Sequence, residues 1–180
     1  MQEPTPFLTE GETRLAAQDW DGAVAAFRRA VSAAPSSAVA HNKLGVAYVH
    51  ARRWDAAFEE FSRAIGFDPL YAQAHSNLGN IYRERGRLDE AVLCYKKAIA
   101  ADPDYWIAHQ NLGVVYKQQG RIADAVRELK TAARLSLRSR GPAPSGPGPR
   151  GTAEGPRVGC LGTGGTAIVM AAALAALVRW

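Results

Sequence analysis

Three histidines, His41, His75 and His109, recur in this 180-residue chain at equal intervals. Imidazole is the commonest metal ligand in proteins, so the row first suggests a metal site. If the spacing reflects stacked helical units, however, equivalent side chains lie on the order of 10 Å apart. A metal ion needs its ligand atoms within about 2 Å of itself. The three rings therefore cannot share one ion, and we expect them to pack within helices, with no metal bound.

Other residue patterns that support catalysis are missing from the sequence. There is no H-E-x-x-H, no glycine-rich phosphate loop after a strand and no nucleophile elbow. Cys94 and Cys160 are too few for a disulfide framework. The basic run at 83–87 has acidic neighbours at Asp89 and Glu90, which favours a solvated helix end over a nucleic-acid contact. We therefore predict a protein without enzymatic activity or cofactors that does not bind nucleic acid.

The elements that position these residues are set by an internal repeat. The stretch 74–103 matches an upstream stretch that starts at Ala40 and a downstream stretch that starts at Ala108. If Ala72 opens a unit, position 8 is glycine, position 11 tyrosine, position 20 alanine and position 24 a large apolar residue. These residues are Gly45, Gly79 and Gly113; Tyr48, Tyr82 and Tyr116; Ala57, Ala91 and Ala125; and Phe61, Tyr95 and Leu129. Such a constant period is typical of a solenoid.

This pattern resembles the tetratricopeptide repeat (TPR) family, whose unit is a helix–turn–helix of the same period. The units are most similar to the N-L-G-x-x-Y repeats of the O-linked N-acetylglucosamine transferase type, without that family's catalytic domain. The resemblance implies an all-α, right-handed superhelical solenoid. Small residues would lie where helices A and B of a unit cross, and stacked units would bury one another's apolar faces.

Four units follow in phase, at 4–37, 38–71, 72–105 and 106–137. The first is degenerate, with Glu10 in place of the leucine and Arg14 in place of the tyrosine. Polar substitution of this kind is typical of the unit that caps a solenoid, because its outer face meets water.

The resemblance also implies a concave groove lined by helix A of each unit. An amide side chain carries both a donor and an acceptor, so a row of asparagines could hold the backbone of an extended peptide. The expected groove residues are Asn42, Lys43, Gln73, Ser76, Asn77, Asn80, Arg83, Gln110, Asn111, Val114 and Lys117.

The composition changes abruptly after the fourth unit. Residues 1–133 hold 16 basic and 16 acidic residues, whereas residues 134–180 hold six arginines and one glutamate, which gives the net charge of +5. Residues 138–157 are rich in proline, glycine and arginine and are predicted to be a flexible linker. Residues 158–178 carry no charge, and about 20 apolar residues suffice to cross a bilayer as a helix.

We therefore predict a non-catalytic scaffold that binds a peptide or helix of a partner protein. Residues 158–178 would form a transmembrane helix that anchors it, with the repeats kept in the cytoplasm by the arginines before this segment. In the alternative, the protein is a soluble cytoplasmic adaptor whose C-terminal helix caps the solenoid, or an accessory subunit of a separately encoded glycosyl- or peptide-modifying enzyme. The array could also self-associate.

Overall fold

The computed structural model describes residues 5–139, and this part of the chain is entirely helical apart from its turns. Its helices are α1 (Thr5–Ala16), α2 (Trp20–Ala33), α3 (Ala38–His50), α4 (Trp54–Phe67), α5 (Ala72–Glu84), α6 (Leu88–Ala101), α7 (Trp106–Gln118) and α8 (Ile122–Ser139). Each odd-numbered helix pairs with the helix that follows it, and each pair packs against the next. The predicted all-α solenoid is confirmed.

The last helix is longer than the repeat predicts. α8 continues to Ser139, past the expected end of the fourth unit at residue 137. Leu137 stands where the earlier units have a proline, so nothing stops the helix there. The predicted linker, 138–157, overlaps α8 at residues 138 and 139. Its residues 140–157 and the predicted membrane helix at 158–178 lie outside the described residues. Within residues 5–139, no helix is both long and apolar enough to cross a membrane.

Each unit turns from its first helix to its second through a residue with a left-handed backbone. In the third and fourth units this residue is Gly86 (φ 71°) or Gly120 (φ 75°), which takes up that conformation without steric cost. In the first two units Gln18 (φ 59°) and Arg52 (φ 57°) occupy the same place. The turn geometry is therefore fixed by the packing of the helices rather than by glycine alone.

The crossing of the two helices in each unit is filled by one large side chain over a glycine. Phe61 lies against Gly45 and Tyr95 against Gly79, and both large side chains are almost completely buried. In the last unit Leu129 lies against Gly113, and it is 37% exposed. The sequence pattern of small residues facing large ones is thus realised as direct contact.

Successive units share their apolar cores. Leu88, Val92 and Tyr95 of α6 pack against Leu112, Val115 and Tyr116 of α7. The corresponding face of α8, one repeat later, is not covered by any part of the chain that the structure describes. It exposes Ile122, Val126, Leu129 and Leu137, a set that we call the α8 stripe.

The recurring histidines link the two helices of a unit to the turn before it. In the second unit His41 Nδ1 lies 2.6 Å from Glu60 Oε2, and its Nε2 lies 2.9 Å from the carbonyl oxygen of Pro35. His41 therefore joins α3 to α4 and to the turn that precedes α3.

The fourth unit repeats this arrangement and the third unit does not. His109 Nδ1 lies 2.7 Å from Glu128 Oε2. His75 keeps only the bond to the preceding proline, 2.9 Å from the carbonyl oxygen of Pro69, because Cys94 occupies the glutamate position. Burial raises the pKa of the Cys94 thiol, so this cysteine is not an activated nucleophile. The histidines pack within their units, as the sequence analysis expects.

Candidate peptide-binding groove

The predicted groove residues lie on α3, α5 and α7, the first helices of three successive units. Asn77 Nδ2 on α5 donates a hydrogen bond of 2.9 Å to Asn42 Oδ1 on α3. Asn111 Nδ2 on α7 donates to Asn80 Oδ1 on α5 at 3.2 Å and reaches Ser76 Oγ at 3.5 Å. The amides therefore connect neighbouring units directly.

Two of the predicted groove residues lie beneath this surface. Asn42 is 5% exposed and Ser76 is 1% exposed, and they occupy equivalent positions one repeat apart. Burial raises the pKa of the nearby Tyr71 and Tyr105 phenols, and the Asn42 and Ser76 side chains offset this rise only in part. Asn42 and Ser76 thus hold adjacent units together and are not open to a ligand.

Three amide side chains keep one polar atom free on the groove surface, and we call Asn77, Asn80 and Asn111 the amide row. Asn80 Oδ1 is doubly used, since it accepts from Asn111 and from the Tyr95 hydroxyl at 2.7 Å. That leaves Asn80 Nδ2, Asn77 Oδ1 and Asn111 Oδ1 without a partner among residues 5–139. Within residues 5–139, the only side-chain polar atom that is both buried and unpaired is Gln119 Oε1. The three unpaired atoms of the amide row are therefore not buried, and they are accessible to solvent.

The charged members of the groove differ in how far they are neutralised. Lys43 Nζ forms an ion pair of 2.7 Å with Glu12, and Arg83 pairs with Glu84 at 3.2 Å. Lys117 is exposed and has no ion-pair partner in the described part of the chain. Gln73 and Gln110 lie exposed at the rim, and Val114 is half-buried. The groove is consequently more cationic towards its C-terminal end.

A cavity of about 180 Å³ opens beside the amide row, between α3 and α5. Its apolar walls are Val46, Val49, Trp54, Phe61 and Ile81, and its polar edge includes Asn77 and Asn80. His50, which stacks on Trp20 with 4.8 Å between ring centroids, lies at the same opening. We call this cavity the α3–α5 pocket.

The sequence analysis missed this pocket because part of its wall comes from the second helix of a unit. Trp54 is the first residue of α4 and is 40% exposed. It also lines a neighbouring cavity of about 410 Å³ with Ile81 and Arg85. The sequence did contain a signal for Trp54. Its position in the repeat is tryptophan in the first two units, whereas the last two units have Leu88 and Ile122 there.

Family models of tetratricopeptide repeats match this chain over residues 8–74, 79–120 and 108–138. No curated protein matches the sequence. Among solved structures, MamA is 28% identical, with a TM-score of 0.66 over 76% of this chain and 80% of its own. Pseudomonas aeruginosa PilF is 26% identical, with a TM-score of 0.69 over 74% and 61% of the two chains. The first TPR domain of Spaghetti (RPAP3), solved bound to an HSP90 peptide, is 18% identical, with a TM-score of 0.62 over 66% and 94%.

Proposed function

We propose that this chain, which belongs to the tetratricopeptide repeat family, is a non-catalytic scaffold that holds an extended segment of a partner protein along α3, α5 and α7. The observation that carries the proposal is the set of free polar atoms on the amide row. Asn77 and Asn111 each offer an acceptor and Asn80 offers a donor, which suits the alternating N–H and C=O groups of an extended backbone. The RPAP3 structure, similar in fold alone, supports it as an array that accommodates a peptide.

Contacts with a peptide backbone make the scaffold tolerant of the partner's sequence. Main-chain hydrogen bonds supply affinity, while pockets for side chains supply specificity. The buried Asn42 and Ser76 contribute by fixing the amides in place, since Asn42 Oδ1 accepts from Asn77 and Ser76 Oγ lies 3.5 Å from Asn111 Nδ2. We therefore assign direct contact to Asn77, Asn80 and Asn111 and positioning to Asn42 and Ser76. Lys43, Gln73, Arg83, Gln110, Val114 and Lys117 are assigned to the surrounding contact surface.

The decisive substitution is Asn80→Asp. The carboxylate retains an acceptor for Tyr95 and Asn111 but loses the donor that faces the groove. We expect peptide binding to weaken by about tenfold, the loss of one buried hydrogen bond, with the thermal midpoint unchanged. Pull-down of partner proteins by the full-length chain, followed by fluorescence anisotropy with the peptide identified, measures the change.

Gln118→Glu is the matched control, because it adds the same charge at the exposed last residue of α7, outside the assigned contact surface. Equal loss of binding in both variants would point to charge alone and would contradict the role of the amide row. Alanine at Asn77 and Asn111 is a less clean test, since it also removes the hydrogen bonds between units.

We further propose that residues 158–178 anchor this scaffold to the cytoplasmic face of a membrane. The proposal rests on their length and lack of charge. The arginines at 138, 140, 150 and 157 would keep the repeats on the cytoplasmic side.

The α8 stripe favours a second role for the same residues. The equivalent face of α6 is covered by α7, whereas Ile122 is 57% and Val126 is 44% exposed. A segment of the same chain has an advantage over a separate partner in covering this stripe, because covalent attachment raises its effective concentration. In this alternative, residues 158–178 cap the array and the protein is a free adaptor.

Comparing the full-length chain with one stopped after Arg157 separates the two roles. If residues 158–178 are an anchor, only the full-length chain stays in the membrane pellet after alkaline extraction. If they are a cap, both chains extract and the shorter one melts at a lower temperature. Val126→Lys should then destabilise the full-length chain and leave the shorter one unchanged. Equal extraction together with equal melting would exclude both roles.

A further inference from the structure

The walls that α3 contributes to the α3–α5 pocket change character one unit further along the groove. The residues one repeat after Val46, Val49 and His50 are Asn80, Arg83 and Glu84, and Arg83 and Glu84 form an ion pair of 3.2 Å. The walls behind them stay apolar, since the equivalents of Trp54, Phe61 and Ile81 are Leu88, Tyr95 and Val115. The first helix therefore presents apolar side chains at this place in the second unit and polar side chains in the third.

The position that holds Val49 changes character along the array. The same place in the next two units is occupied by Arg83 and then by Lys117. Lys117 is exposed and has no ion-pair partner within residues 5–139, so its charge is available to a ligand. A bound segment that fits the whole groove must therefore be apolar at one end and acidic at the other.

The size of the α3–α5 pocket limits its occupant. An apolar cavity of about 150 Å³ accommodates a benzene ring, so about 180 Å³ accepts a leucine, methionine or phenylalanine side chain. The pocket shares Asn77 and Asn80 with the amide row. A backbone bound to those amides consequently places one side chain directly over the opening.

The spacing between the two sites follows from the repeat. Packed helices lie about 8–10 Å apart, and an extended chain advances about 3.3 Å per residue. One unit therefore corresponds to about three peptide residues, and the distance from Val49 to Lys117 to about six.

We propose that the groove selects an extended peptide with a large apolar side chain, seated in the α3–α5 pocket, and an acidic side chain about six residues away, paired with Lys117. This inference rests on the proposed function, because it assumes that the amide row holds the peptide backbone. It adds the class of sequence that the scaffold recognises.

The test is selection of a phage-displayed library of random dodecapeptides on the full-length chain, run in parallel on Asn80→Asp. The expected result is enrichment of peptides that combine one large apolar residue with Asp or Glu about six positions away. These peptides should be depleted on Asn80→Asp. Enriched peptides that depend on Asn80 but lack this pair would overturn the inferred selectivity and leave the proposed function standing. If no peptide depends on Asn80, the proposed function itself fails.

Two further variants assign the two ends of the peptide. Lys117→Glu should replace the acidic preference by a basic one and weaken the original peptides by three- to tenfold. Val49→Lys should remove the apolar preference and keep the acidic one. Lys117 is exposed, whereas Val49 is partly buried and packs against Phe61 and Ile81, so circular dichroism is used to establish that Val49→Lys is folded. An exchange of preference, unlike a loss of all binding, is not explained by unfolding. Unchanged selection in both variants would place the peptide elsewhere and overturn the assignment.

Discussion

Replacing Gly79 by leucine is expected to lower the free energy of unfolding by about 3 kcal/mol, and the thermal midpoint by about 10 °C. A Cβ atom at this position would lie 2.7 Å from Cε1 of Tyr95, which is well inside van der Waals contact. Tyr95 has no space to move aside because it is fully buried and its hydroxyl is hydrogen-bonded to Asn80. Circular dichroism melting of the full-length chain measures the effect.

Gly66→Leu is the matched control for this substitution. Gly66 also lies within a helix, α4, but a Cβ atom there would meet nothing within 4 Å. Leucine exceeds glycine in helix propensity by about 0.8 kcal/mol, so the midpoint should stay the same or rise. Equal midpoints for the two variants would contradict the close crossing at Gly79. Peptide binding should weaken only in Gly79→Leu, because a displaced Tyr95 no longer fixes Asn80.

Replacing Glu60 by alanine is expected to cost about 2 kcal/mol of unfolding free energy, because it leaves the buried Nδ1 of His41 without its hydrogen-bond partner. The side chains of His41 and Glu60 are 5% and 8% exposed. Water therefore cannot replace the partner that the substitution removes. The substitution also removes the ion pair between Arg63 Nη1 and Glu60 Oε1, which are 2.6 Å apart. Urea denaturation of the full-length chain gives the change directly.

Glu59→Ala is the control, since this neighbouring glutamate is 67% exposed and 3.8 Å from Arg63. Exposed ion pairs contribute about 0–1 kcal/mol, and little change is expected.

Cys94→Glu is the reciprocal test, because it supplies His75 with the carboxylate that the second and fourth units contain. Tolerance of this buried charge is expected; a loss of stability as large as that of Glu60→Ala would show that the third unit cannot form the pair.

The constant period of the repeat was sufficient to predict the order of the helices and most of their bounds. Glycine at position 8 and the large residue at position 24 correctly indicated contact, which the structure shows for Gly79 and Tyr95. These features are recoverable because they depend on volume and polarity repeated at equivalent positions, and tertiary packing uses the same pattern in every unit.

The hydrogen bonds of the groove were not recoverable in the same way. The bond from Asn77 to Asn42 joins residues 35 positions apart, so it connects two different positions of the repeat. The pairing of His41 with Glu60 depends on the rotamers of both side chains across two helices. The left-handed Arg52 has no sequence signal, because its residue type does not favour that conformation.

The double use of the groove amides links ligand binding to mechanical extension. Asn77 and Asn111 each donate to the preceding first helix and present their remaining oxygen to the groove. Tension along the array would separate α3, α5 and α7 and so disturb the atoms to which we assign peptide binding. Since coupling between two equilibria is reciprocal, a peptide held in the proposed way would stiffen the solenoid, and tension on the solenoid would promote its release.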